Sequence, residues 1–230
     1  MTYSTYTVGN TITLDNSGDQ VWFRAGSGGN STIGKDGSNY YKFVMTGKFN
    51  LDGTGFKYLL QQSGTISTIP SNYTFSNLFR ECASLVGNVV VEFPMVNNSF
   101  PQRLFHSTFR NSGIENISTG GNMAKSNTGL FQEICYYAGS LKKAVLNGVQ
   151  DGAWSAFNGA FRDCASLEEV DFPDLTSFSG NQLVLWKAFD SSRMLKVFRM
   201  PKYASTGTPN SNCWDLSFNG CTSLELVDFS

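Results

Sequence analysis

Gly159-Ala-Phe-Arg-Asp-Cys-Ala-Ser-Leu-Glu-Glu-Val-Asp-Phe-Pro-Asp-Leu175 decides the reading of this chain, because its spacing recurs on both sides of it. After Phe161 the marked positions are Cys164, Leu167, Val170, Phe172 and Pro173. Phe218, Cys221, Leu224, Val227 and Phe229 keep the same offsets, and Phe189, Leu195, Phe198, Met200 and Pro201 keep them with Ser192 in the cysteine slot. Phe79, Cys82 and Leu85 open a further unit. Phe109, Ile114 and Ile117 form one that is a residue short, and Leu141, Ala144 and Leu146 mark a degraded one. The leucine-slot residues Leu85, Ile114, Leu141, Leu167, Leu195 and Leu224 are separated by 29, 27, 26, 28 and 29 residues. A fixed period of that size is the mark of a solenoid. Each unit contributes a short strand, Leu-x-x-Val-x-Phe, and cannot bury its apolar face alone, so stacked neighbours form one core beside a parallel sheet.

The offsets of phenylalanine, cysteine, leucine and proline resemble those of the BspA-like leucine-rich repeat family, whose units read roughly Ala-Phe-x-x-Cys-x-x-Leu-x-x-Ile-x-Leu-Pro. The resemblance covers about residues 75–230. It implies a leucine-rich-repeat solenoid of about six repeats over residues 67–230, and attachment to a host surface, a matrix protein or a glycan. Residues 1–66 do not fit the repeat and are expected to form a small N-terminal β-rich cap over the first coil. Within them, residues 11–14 and 20–24 read as a hairpin about a turn at 15–19, and residues 40–45 and 48–51 as a third strand. The segment 46–60 resembles proteins of gut bacteria and their phages that place such repeats after a β-rich start.

Composition narrows the function classes. Seventeen basic residues oppose eighteen acidic ones, for a net charge of -1, with no basic block to follow a phosphate backbone, so nucleic acid is not an expected partner. Apolar runs such as Leu183-Val-Leu-Trp186 are far too short to span a bilayer, so no membrane insertion is expected. Residues 1–15 lack the basic start and apolar centre of an export signal, which favours a virion surface over a bacterial cell surface. Cys82, Cys164 and Cys221 share one repeat slot and lie too far apart for a metal cage, so they read as small core thiols.

Chemistry has few carriers here, and neither an enzyme nor a cofactor is expected. His106 is the only histidine, and it sits beside Phe105 in the second unit, with no Gly-x-Ser-x-Gly elbow anywhere to mark a nucleophile. Residues 29–36 match a phosphate loop up to Lys35, but Asp36 stands where a magnesium-binding hydroxyl is needed.

Charge is patterned instead. One residue after the leucine slot the units read Glu115, Lys142, Glu168, Lys196 and Glu225; three further on come Val145, Asp171, Arg199 and Asp228. Equivalent positions of neighbouring strands lie about 4.8 Å apart, so each acid is expected to face a base and to penalise a slipped register.

Tyr136, Tyr137, Trp154, Trp186, Tyr203 and Trp214 fall outside the repeat slots and form the candidate platform for a glycan or protein partner. The polar stretches 120–129 and 205–212 read as loops between units, a second place for recognition. Leu226, Val227 and Phe229 belong to a last unit with nothing polar beyond it, so they are expected to meet another virion protein, a partner chain or a second copy. The resulting expectation is a non-enzymatic attachment protein of a phage particle, displayed on a tail, fibre or capsid. A secreted bacterial adhesin and a purely structural scaffold are the alternatives.

Overall fold

A computed structural model describes residues 10–21, 23, 42–51, 56, 59, 69, 72–92, 100–120, 128–179, 183–204 and 212–230. The phosphate-loop-like stretch 29–36 and most of the polar stretches 120–129 and 205–212 lie outside the described residues.

The chain is a parallel β-solenoid. Six strands, β3 (Asn88–Glu92), β4 (Asn116–Gly120), β5 (Lys143–Leu146), β6 (Glu169–Asp171), β7 (Val197–Arg199) and β8 (Leu226–Asp228), form one sheet in chain order. Every pairing is parallel, and the register places Ile117, Ala144, Val170, Phe198 and Val227 in line. Leucine-slot residues Leu85, Ile114, Leu141, Leu167 and Leu195 are fully buried beneath that sheet, as the period requires.

The units of unequal length are reconciled by two glycines. In the first unit β2 (Leu85–Val86) is separated from β3 by Gly87, whose φ of 80° bends the strand. Its carbonyl accepts from both Glu115 and Asn116, at 2.8 and 3.3 Å, so the extra residue is absorbed as a bulge. In the short second unit Gly113 donates to the Cys82 carbonyl at 3.2 Å. A Cβ there would lie 2.3 Å from the Ala83 carbonyl oxygen, so the missing residue is tolerated only because glycine permits the close approach.

Opposite the sheet, each coil runs as a ribbon of consecutive turns, at 72–81, 102–111, 128–137, 154–163, 184–191 and 215–220. Within a ribbon every fourth residue has positive φ: Tyr73, Asn77 and Glu81 in the first, Gly129, Glu133 and Tyr137 in the third. A side chain in that region costs about 1–2 kcal/mol, and the hydrogen bonding compensates. Alternate N–H groups donate to the next coil, Tyr73 to Gln102, Phe75 to Leu104 and Asn77 to His106, at 2.9 to 3.0 Å. The intervening ones close local turns, as Ser76 does on Tyr73. Both long faces of the solenoid are therefore hydrogen-bonded from coil to coil.

Between the two faces lies a stacked aromatic core. Phe75, Phe105, Phe131 and Phe157 follow one another at 5.5, 5.7 and 5.8 Å between ring centroids, nearly parallel. The cysteine slot serves the same stacking: the Cys164 thiol donates to the Cys135 carbonyl of the preceding coil at 3.1 Å, Cys221 to Phe189 at 3.1 Å, and Ser192 to Phe161 at 2.7 Å. Ser192 thus makes in its slot the bond that Cys164 and Cys221 make in theirs, whereas Ala138 fills the slot of the third coil without a side-chain donor.

The N-terminal region departs from expectation. Residues 11–14 are not a strand; the described part of 10–23 carries a turn at Asn16, closed by the Asp19 N–H at 3.2 Å, and no hairpin. Instead β1 (Phe49–Asn50) pairs parallel to β2, and Phe43 donates its N–H to the Leu78 carbonyl at 2.8 Å. Phe43 also stacks on Phe79 at 5.1 Å, continuing the phenylalanine column, and Phe23 leans on it from outside. This segment stacks as one more coil. Phe43 and Phe49 stand six residues apart, as Phe79 and Leu85 do, with phenylalanine in place of the slot leucine.

Candidate functional site

Ribbon residues on the outer surface are held in columns, since each coil repeats the same turns one layer along. Tyr136 follows the phenylalanine-slot residue of its coil, as Arg110 and Arg162 do in the coils on either side. The tyrosine ring is consequently sandwiched, with the Arg110 guanidinium at 4.5 Å from its centroid and that of Arg162 at 5.4 Å. Tyr137 stacks on Tyr136 at 4.2 Å and is itself about half exposed, at 48%. Burial, then a hydrogen bond with Tyr137, pushes the Tyr136 hydroxyl up to about 12. Glu133 anchors Arg110 at 2.9 Å, and Asp190 holds Arg162 at 3.2 Å. The result is a stacked aromatic pair in which Tyr136 is held between coils and Tyr137 is half exposed.

Trp154 and Trp186 lie on the same ribbon face in the next two coils. Their carbonyls accept from Gly129 and Gly159, each at 2.9 Å, so both backbones are clamped by the preceding coil. Trp154 is 51% exposed. Trp186 is half-buried under the Lys187 ammonium, 4.3 Å from the ring centroid. Neither stacks on another member of the six. Tyr203 and Trp214 are elsewhere: they pack on Phe178 at 4.8 and 5.6 Å and close the core beside Phe229. The structure thus joins Tyr136 with Tyr137, and Tyr203 with Trp214, without uniting the two pairs. Arg110, Arg162, Glu133 and Lys187 escaped the sequence reading, although the arginines keep a constant offset from the phenylalanine slot.

The charge ladder is present in both columns. Lys142 pairs with Glu115 at 3.0 Å, Lys196 with Glu168 at 2.9 Å, and Arg199 with Asp171 at 3.1 Å. A third column went unread: Lys143 binds Glu169 at 2.9 Å, and Glu169 is also gripped by Arg199. Hydrogen bonding from Lys143, then from Arg199, holds the Glu169 carboxyl below its usual range. Glu225 and Asp228 end the ladder differently, since Lys196 and Arg199 are turned to the acids of the coil before. Asp228 accepts instead from the Ser230 N–H and hydroxyl, at 2.8 and 2.7 Å, which lowers its pKa.

His106 is wedged between Ser76 Oγ, 3.3 Å from Nδ1, and the edge of Tyr73. Burial outweighs the attraction of Glu133, and three nearby arginines add to it, so the imidazole is held down to about 4 and stays neutral. All five cysteines are free. Burial raises Cys82 and Cys221 to about 11 and Cys135 and Cys164 further still, which keeps these four as thiols near neutral pH. Among the described residues no His, Cys, Asp or Glu cluster could hold a metal ion, and no helix is long and apolar enough to cross a membrane.

The chain matches no family model, no curated protein and no solved structure.

At the last coil, Leu226, Val227 and Phe229 are 42%, 40% and 45% exposed. The residues in line with Val227 one and two coils back, Phe198 and Val170, are fully buried, as are Met200 and Phe172 in line with Phe229. Val227 and Phe229 thus stand on the core side of the sheet, Phe229 against Phe198 and Trp214, whereas Leu226 continues the outer line of Lys143, Glu169 and Val197.

Proposed function

We propose that the protein is a non-enzymatic attachment protein with the repeats of the BspA-like leucine-rich type, carried on a phage particle as a tail, fibre or capsid-decorating component. Its turn-ribbon face recognises a protein or glycan on the host surface, and it assembles with other virion proteins. The observation that carries recognition is the exposed, pre-ordered aromatic set Tyr137 and Trp154 on a backbone clamped from coil to coil. Rigid amphipathic rings lose little freedom on binding, and such residues dominate interface energetics. The self-paired ladder supports the same reading, because acids and bases that satisfy each other leave no strong field for a charged substrate. The resemblance of residues 46–60 to proteins of gut bacteria and their phages is compatible with the phage setting. The repeat pattern itself favours a second reading, a bacterial surface adhesin, which uses the same face.

The test is adsorption of the labelled chain to bacterial cells, mucin glycans and matrix proteins. Tyr137→Ala and Trp154→Ala are expected to weaken a retained interaction by about tenfold or more each. Because both side chains are half exposed, thermal stability should scarcely change. Unaltered adsorption in the double variant would remove the ribbon face from the function.

A further inference from the structure

Of the four arginines in the turn ribbons, three face acids. Arg80 lies 3.3 Å from Glu81, Arg110 2.9 Å from Glu133 and Arg162 3.2 Å from Asp190. Arg103 has no acid in ion-pair range among the described residues, and its hydrogen-bond partners are neutral. Nε donates to Gln132 Oε1 of the next coil at 3.0 Å, and Nη1 donates to the Tyr73 hydroxyl of the coil before. The guanidinium carbon also lies 5.6 Å from the Tyr73 ring centroid. These contacts from two coils fix the plane of the group without neutralising its charge, and Nη2 bonds to nothing among the described residues.

The backbone makes room for this side chain. Tyr73, Arg103, Gly129, Ser155 and Leu183 hold the same positive-φ position in successive coils, so the turn itself does not demand glycine there. Gly129 lies beneath Arg103: a Cβ on it would come within 2.8 Å of Arg103 Cγ and 3.4 Å of Nε, and would push the arginine off its course to Gln132. Gly129 also donates its N–H to the Trp154 carbonyl at 2.9 Å, so the guanidinium and Trp154 flank the same glycine. Trp154 is half exposed.

We propose that Arg103 and Trp154 form a site for a carboxylate-bearing sugar, a pyranose of the sialic- or uronic-acid type on a host glycan. The proposal rests on reading the ribbon face as the recognition surface, and it names the chemistry of the ligand. The carboxylate accepts from Nη2, and the apolar face of the pyranose lies on the indole. Charge-assisted hydrogen bonds from a held guanidinium are short and strong, and an amphipathic ring presents a flat apolar partner at little entropic cost. Arg103 acts here as one directed donor, on the opposite side of the core from the self-paired ladder. Glu133, the acid of the adjoining coil, is taken by Arg110. A carboxylate alone would leave the exposed indole uncovered. A sugar acid carries the charge and the apolar face on one rigid ring, so it fits this pair better than an acidic peptide does.

The test titrates the chain with an α-methyl sialoside and with a methyl glucuronide, each beside its own methyl ester. Binding is read from the Trp154 indole N–H by NMR, with Trp154→Phe assigning the signal. At least one acid is expected to bind about tenfold or more tighter than its ester, the scale of a hydrogen bond to a charged group, and the one that does so identifies the source. Arg103→Gln should abolish that difference, with an unchanged Phe157 amide signal showing an intact fold. Should that variant not fold, the acid and ester affinities of the parent chain decide the matter. Equal binding of acid and ester, or an acid preference that survives in Arg103→Gln, would overturn the proposal and leave the ribbon face to neutral ligands. No response to any of these sugars, in a chain whose adsorption to cells still depends on Trp154, would overturn the proposal without touching the reading beneath it. A Trp154 response to an Asp/Glu-rich peptide alone would assign the site to a protein partner and overturn it as well.

Discussion

His106 and Gly113 show how much of this structure hangs on single side chains. The imidazole has a folded pKa of about 4, below its ordinary value, so the unfolded chain binds a proton that the folded chain refuses. Its contribution is therefore fully present above about pH 6.5 and is lost as pH falls toward 4, by roughly 2–3 kcal/mol. His106→Gln should flatten the pH dependence of urea unfolding over that window; a slope identical to that of the parent chain would show that the imidazole is solvated. At Gly113 the constraint is steric. Gly113→Ala drives a methyl into the Ala83 and Leu85 carbonyls, 2.3 and 2.7 Å away, and backbone cannot step aside as a side chain would. The expected loss is about 1–3 kcal/mol, read from the urea midpoint. Gly139, with nothing near its Cβ position, is the control, and Gly139→Ala should leave the midpoint near that of the parent.

At the scale of elements, neighbouring strands are held in register by charge as well as by packing. Glu169 of β6 is bonded to Lys143 of β5 and Arg199 of β7, so one carboxylate ties three strands. Glu169→Gln is expected to cost about 1 kcal/mol, and Glu169→Lys more, because it sets a third cation between Lys143 and Arg199. Salt at 1 M cuts the screening length to about 3 Å and should narrow the gap between the two variants. A gap that does not respond to salt would mean that sterics, not charge, separate them. The depressed Glu169 pKa has its own signature: the stabilisation is present above the ordinary carboxylate range and fades as pH falls through the folded value. The turn ribbons obey a different rule. Their positive-φ residues are tolerated because alternate N–H groups reach the next coil, so a ribbon is an element only within a stack.

For the whole molecule, stability is the sum of coil-to-coil interfaces. Phe157 is buried between Phe131 and Phe172, at 5.8 and 4.9 Å, and its truncation to Ala should cost about 3–5 kcal/mol. Amide protection should fall in the coils on both sides. Phe229→Ala, at a side chain nearly half exposed, should loosen only the last coil. Exchange mapped by residue checks this, and a uniform loss in both variants would indicate one cooperative block rather than a nearest-neighbour array.

Much of this was legible in the linear order of residues. The period, the inward slots, the parallel sheet and two of the charge columns follow from offsets such as Phe161, Cys164, Leu167 and Val170, because a stacked coil must present the same side chain at the same place each time. The third column at Lys143 and Glu169 was equally available, two residues past the leucine slot. Tertiary structure alone decided the rest. Positive φ at every fourth ribbon residue has no signature in residues as varied as Tyr73, Arg103 and Leu183, since the compensation comes from carbonyls of the next coil. The stacking of Phe43 on Phe79, and the division of the aromatics into exposed Tyr137 and Trp154 and core-closing Tyr203 and Trp214, were settled likewise. Exposure is a property of what the neighbouring coil covers, and spacing along one chain does not record it.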